Sequence, residues 1–268
     1  MIPLSVVDAF TDVAFAGNPA AVCLLARWPS DKWLQQLGRE MNLSETAFLV
    51  PRGASEFELR WFTPKVEVAL CGHATLAASH FLWTSANAPT DRPLTFHTCK
   101  SGALSATRLP SGEIALDFPA KPPTPCPAPA GLLGALGASA DAVAKNEFDY
   151  LVELGSADAV RKLTPDFTRL AQTECRGVIV TAKSDDPRFD FVSRFFAPQA
   201  GINEDPVTGS AHCCLSEWWG AKLAKDEMTG FQASERGGIV RVKRTNGRVK
   251  LIGRAVTVTI GHLAAEPE

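Results

Sequence analysis

The sequence carries no surplus of charge of either sign: 27 Lys and Arg stand against 29 Asp and Glu, a formal net charge of −2. A chain so balanced offers no bulk attraction for nucleic acid or for an anionic membrane. No apolar run approaches the length of a membrane span. There is no phosphate-cradling loop of the Walker type and no dinucleotide fingerprint, and the spaced Cys or His pairs of a zinc site are missing. Ile2-Pro3-Leu4 passes straight into Asp8, without the pattern of a signal peptide. The seven cysteines are odd in number and scattered, which favours reduced thiols and a cytoplasmic protein over a disulfide framework. What remains is an ordinary soluble composition, 46% hydrophobic and 21% charged, with length enough to bury a core.

One stretch organises the chain: Asn203-Glu204-Asp205-Pro206-Val207-Thr208-Gly209-Ser210-Ala211-His212. An acidic, Pro-kinked turn runs into Thr-Gly-Ser and then into a mostly apolar segment ending at Trp218-Trp219, which reads as a helix. A Gly-Ser step at a helix start leaves free N–H groups and the positive dipole end aimed at whatever sits there. That suits a carboxylate or another anion. The plainer alternative is an Asp-Pro turn with Ser210 as an ordinary N-cap.

The first half holds a related stretch, Cys71-Gly72-His73-Ala74, opening a segment that is apolar nearly all round to Trp83. Phe57…Arg60-Trp61-Phe62-Thr63-Pro64 matches Phe191…Arg194-Phe195-Phe196-Ala197-Pro198, and Gly72-His73-Ala74 matches Gly209-Ser210-Ala211. Lys100-Ser101-Gly102 matches Arg236-Gly237-Gly238, and Gly112 to Leu116 matches Gly247 to Leu251, at nearly the same offset of about half the chain. This reads as an internal duplication. Two lobes follow, 1–118 and 119–268, with the last strand a candidate for crossing back to the first lobe and the Pro-rich run from Phe118 to Ala130 at the boundary. Two helix mouths facing one cleft would hold a small acidic metabolite.

Individual residues leave alternatives open. His73 at the first mouth passes protons or holds an anion, or is simply a satisfied polar side chain. Glu45 enters a strongly apolar strand, Ala47-Phe48-Leu49-Val50, where desolvation would fit it to accept and donate a proton; the alternative is a solvated loop carboxylate. Cys71 is either a thiol activated at a helix N-terminus or a small buried hydrophobe. Its second-lobe counterpart is Thr208, which cannot serve as a base near neutral pH, so a two-thiol exchange is broken. Cys213-Cys214 beside His212 lacks the spacing of zinc ligands. The basic residues around Asn246-Gly247 read as a solvated face at a hairpin turn. No metal and no cofactor is expected.

Several of these segments resemble the PhzF-like phenazine-biosynthesis family, in that family's order and over nearly the whole chain. They are Asp8-Ala9-Phe10, Phe15-Ala16-Gly17-Asn18-Pro19-Ala20, Asn42-Leu43-Ser44-Glu45-Thr46, Arg60 to Pro64, Cys71 to Thr75 and Glu204 to His212. The resemblance implies the α+β diaminopimelate epimerase-like fold: two pseudo-symmetric lobes, each a mixed, barrel-like sheet around a buried helix. It implies Glu45 as proton shuttle, with His73 and Asp205 as its catalytic partners. Asn18, Ser44, Cys71, Gly72, Thr208, Gly209 and Ser210 fall to substrate binding. A homodimer is implied as well. In phenazine producers the reaction is a cofactor-free isomerisation of a small cyclic amino acid. The expected activity is therefore a carbon-to-carbon proton shift by Glu45. Its rivals are an epimerase or racemase using Cys71 and a catalytically silent binding protein.

Overall fold

The structure is a computed structural model, and residues 1–265 are described. The first half runs β1 (Ile2–Ala9), β2 (Asn18–Leu24), α1 (Asp31–Met41), β3 (Glu45–Pro51), β4 (Glu56–Phe62), β5 (Glu67–Val68), α2 (Gly72–Thr84), β6 (Leu94–Thr98), β7 (Gly102–Arg108) and β8 (Ile114–Pro119). The second runs β9 (Thr124–Pro125), α3 (Leu132–Leu136), β10 (Ala142–Lys145), β11 (Asp149–Glu153), α4 (Ala157–Lys162), α5 (Phe167–Leu170), β12 (Gly177–Lys183), β13 (Phe191–Phe196), α6 (Gly209–Leu223), β14 (Glu227–Gln232), β15 (Gly238–Thr245) and β16 (Arg248–Gly253). A last strand, β17 (Ala255–Leu263), closes the described chain.

Two compact units result, Met1–Phe118 with the stretch from Ile252 onward, and Pro119–Leu251. The terminal strand thus belongs with the first unit, where β17 pairs antiparallel with β1. In that unit β1 and β2 are antiparallel, β2 and β3 parallel, β3 and β4 antiparallel, β4 and β6 parallel, β6 and β7 antiparallel. The second unit repeats the alternation through β10 and β11, β11 and β12, β12 and β13, β13 and β14, β14 and β15. Asn246 and Gly247, both at positive φ, turn β15 into β16 as a two-residue hairpin.

Each unit wraps its sheet around one helix. In α2 every residue from His73 to Ser79 is buried, and Phe81, Leu82 and Trp83 with them; α6 is buried through Ala211 to Ser216 and again at Trp219 and Gly220. A helix apolar on all sides needs such enclosure. The outer faces carry smaller helices. Ser30 accepts from the Trp33 amide to cap α1, whose Leu34 packs with Phe48 and Phe62. Helices α3, α4 and α5 cover Val178, Val180, Val192 and Phe196 on the other unit's sheet.

The inner face of β13 is packed to contact. Phe191 stacks on Trp219 of α6 with ring centroids 6.3 Å apart, and a Cβ added at Gly230 on the neighbouring strand would sit 2.3 Å from the Phe191 ring. With the indole behind it the ring has nowhere to retreat. Gly230→Ala should therefore cost about 1–3 kcal/mol by overpacking, whereas Gly261→Ala, where the added carbon meets nothing within 4 Å, should be nearly neutral. Urea unfolding of the two variants checks the contrast.

Candidate active site

Both buried helices open without a side-chain cap. Cys71 precedes α2 and Thr208 precedes α6, both in extended backbone, and neither side chain bonds to its helix's first amides. Ser210, read from sequence as a possible N-cap, is the second residue of α6. The fourth residue of each helix instead ties back to the cap carbonyl: Thr75 Oγ1 donates to Cys71 O at 2.5 Å, and His212 Nδ1 to Thr208 O at 2.9 Å. The mouths keep their N–H groups for something else.

In the first unit three elements converge on His73, the second residue of α2. Asn18 opens β2 and its amide nitrogen lies 3.1 Å from His73 Nδ1. Glu45 opens β3, parallel to β2, and its Oε2 lies 3.2 Å from His73 Nε2. Cys71 Sγ is 3.5 Å from Nδ1. Burial lowers the His73 pKa from 6.5 to about 3, so the ring is neutral. Ser44 and Gly72 flank this group, each half-buried.

Glu45, Cys71 and His73 bring three potential metal donors within 4.8 Å of one another.

In the second unit Asp205 is locked from three directions. Its Oδ2 accepts from Thr208 Oγ1 at 2.5 Å, its carbonyl accepts from Gln232 Nε2 at 2.7 Å, and its amide donates to Phe195 O. Gln232, fully buried on β14, also accepts from the Thr208 amide at 2.9 Å. Gly209 is buried and Ser210 half-buried at the same mouth. Cys213 and Cys214 are pushed up to about 12 by burial and stay thiols.

Sequence reasoning missed the supports beneath both mouths. Arg60 grips Glu67 through Nε and Nη2 at 2.8 and 2.9 Å, and Arg194 grips Glu204 in the same fork at 2.7 and 2.8 Å. Arg60 stands over Phe62 and Arg194 over Phe196. Each pair ties a β-strand to the segment that leads toward the helix start, Glu67 from the short strand β5 and Glu204 from a loop. The two arginines were visible as a repeat match; their partners, seven and ten residues further on, were not. Gln232 gave no signal in the sequence.

The family follows from the whole chain. The model for the phenazine biosynthesis-like protein family matches residues 7–261. The chain belongs to that family. Uncharacterized isomerases of Halalkalibacterium halodurans and Pseudomonas aeruginosa are 51% and 47% identical to it, each alignment covering 96% of both chains. A PhzF-family phenazine biosynthesis protein of Enterococcus faecalis superposes with a TM-score of 0.92 at 39% identity, covering 98% of this chain and 99% of the other. The fold is the diaminopimelate epimerase-like one.

The buried rings give a family member of this kind a defined acid response. His212 is held neutral too, its pKa lowered by burial to about 4. Both rings are neutral in the fold, while in the unfolded chain they take protons near 6.5. Their contribution to stability is therefore full above that pH and is lost as pH falls toward the folded values. The decline should approach about 1.4 kcal/mol per pH unit for each ring. Urea unfolding between pH 7 and 5 measures it, and His73→Gln should remove one ring's share of the slope.

Proposed function

We propose that this chain is a cofactor-independent isomerase in which Glu45 removes a carbon-bound proton from a small acidic substrate and returns it to another carbon. The isomerase class is supported by near relatives so named, aligned over almost their full length. The observation that carries the assignment to Glu45 is its carboxylate at the α2 mouth, 3.2 Å from a neutral imidazole nitrogen. A carbon acid gives up its proton only to a base already in position, with donors ready for the charge that develops. The open amides at Gly72-His73, at the mouth that holds Glu45, fit that second task. Asn18, Ser44 and Cys71 line the Glu45 side.

The rival base is Cys71, and its 3.5 Å approach to His73 Nδ1 is what favours it. Two features weigh against it. The nearer group at that nitrogen is Asn18, and burial opposes the imidazolium that a thiolate–imidazolium pair would need. The counterpart at the other mouth, Thr208, already donates its hydroxyl to Asp205. A reducing compartment suits this site, and all seven cysteines are free thiols. We place the protein in the cytoplasm as a homodimer.

Small amino and carboxylic acids incubated with the protein in D2O, followed by proton NMR, would reveal a substrate through loss of a C–H signal. On that substrate Glu45→Gln should lower exchange by roughly 10²–10⁴-fold, and Cys71→Ser by less than about tenfold. A dead Cys71→Ser beside an active Glu45→Gln would establish the epimerase reading instead. Binding with no exchange in any compound would leave a binding protein.

A further inference from the structure

We infer that Asn18 is a positioning residue that fixes the tautomer of His73, so that Nε2 carries the ring's proton and presents it toward Glu45 at the helix mouth. The inference rests on the Glu45 reading for its functional meaning, but its physical content stands on the three side chains alone.

A neutral imidazole has one N–H donor and one bare acceptor nitrogen. Glu45 Oε2 lies 3.2 Å from Nε2, near enough to act on the ring by its charge although the two atoms are not aligned for a hydrogen bond. A carboxylate that near favours the proton on Nε2 and a bare Nδ1. The group at Nδ1 is the amide nitrogen of Asn18 at 3.1 Å, a donor. The two ends of the ring therefore call for the same tautomer. The Cys71 thiol, farther off at 3.5 Å, also points a weak donor at Nδ1 and acts in the same sense.

The backbone delivers Asn18 with little freedom. Gly17 before it has φ +65°, and a side-chain carbon there would lie 2.2 Å from the Ala9 carbonyl oxygen. Asn18 then pairs with Ala9 as the first rung of the β1–β2 ladder and is fully buried. A buried amide held this way is a fixed donor rather than an adaptable substrate contact. The consequence for chemistry is that Glu45 stands beside a neutral N–H dipole rather than an imidazolium. Such a neighbour spares the carboxylate the ion-pair stabilisation that weakens it as a base. An aspartate at position 18 would accept rather than donate, draw the proton to Nδ1 and turn a bare Nε2 toward the carboxylate.

Long-range proton–nitrogen correlation spectra of protein labelled with [15N]histidine read the tautomer directly, with His73 assigned by the signal lost in His73→Gln. The wild type at pH 7 should show Nε2 protonated and Nδ1 bare. Asn18→Asp should move the proton to Nδ1, and Asn18→Ala should give averaged shifts of the two tautomers. A wild-type ring protonated at Nδ1, or one already averaged, overturns the inference whether or not the variants fold. A folded Asn18→Asp that keeps the wild-type pattern overturns it as well. Glu45→Gln separates this inference from the Glu45 reading, because Asn18 still faces Nδ1 when the carboxylate becomes a neutral amide. A retained tautomer with undiminished C–H exchange in Glu45→Gln would sink the proton-shuttle assignment and leave the role of Asn18 intact.

Discussion

An α-helix enclosed by a sheet must still begin somewhere, and its first N–H groups have no partner within the helix. Much of this molecule follows from that constraint, met twice. The bodies of α2 and α6 are apolar because the surrounding strands exclude water. Their mouths are polar because the first amides cannot be made apolar. The chain declines the usual remedy, an N-cap side chain, and places Cys71 and Thr208 there without a capping bond. The fourth residue anchors the cap carbonyl instead, through Thr75 in one unit and His212 in the other. The helix start is thereby fixed in place while its donors stay open, which is the preorganisation an oxyanion or carboxylate requires.

The two units share this scaffold and differ in what they mount on it. The arginine–glutamate forks recur nearly atom for atom, since both units need the segment leading toward the helix pinned to the equivalent strand. The chemical positions do not recur. Thr46 pairs with Phe62 as Val178 pairs with Phe196, so the residue matching Glu45 is Gly177. There the Phe195 ring lies where a side chain would begin, 2.3 Å from the place a Cβ would take. Histidine at the first mouth becomes Ser210 at the second, and the thiol of Cys71 becomes the hydroxyl of Thr208. One unit has kept a proton-handling group; the other has kept donors and an acid.

That division was partly legible in the sequence. The duplication showed because its strongest marks are local: an arginine two residues before a phenylalanine, then a glycine opening an apolar helix. Glu45, His73 and Asp205 stood out through their motifs. The contacts that give them meaning did not, because they join residues remote in sequence and depend on register. Asn18 reaches His73 across 55 positions and Gln232 reaches Asp205 across 27. Neither distance leaves a periodicity to read. That the last strand crosses back was an expectation from the sequence; its register against β1 is of the same unreadable kind, for pairing partners are set by the sheet rather than by the strand's own pattern.

Carboxylates in this chain do two kinds of work, and their partners tell them apart. Glu67 is gripped by the Arg60 fork, which holds its pKa below the ordinary range, and Glu204 is gripped by Arg194 in the same fork. A carboxylate bound into such a fork is a fixed anion: taking up a proton would cost it the charge-assisted bonds that hold the loop. Glu45 is treated differently. The ring it stands beside in His73, 3.2 Å away, is kept neutral by burial, so a proton arriving on the carboxylate strands no buried imidazolium. A group that must be charged in one step and neutral in the next needs surroundings that tolerate both states. That tolerance is why the proton shuttle is proposed at Glu45 and not at the forked carboxylates.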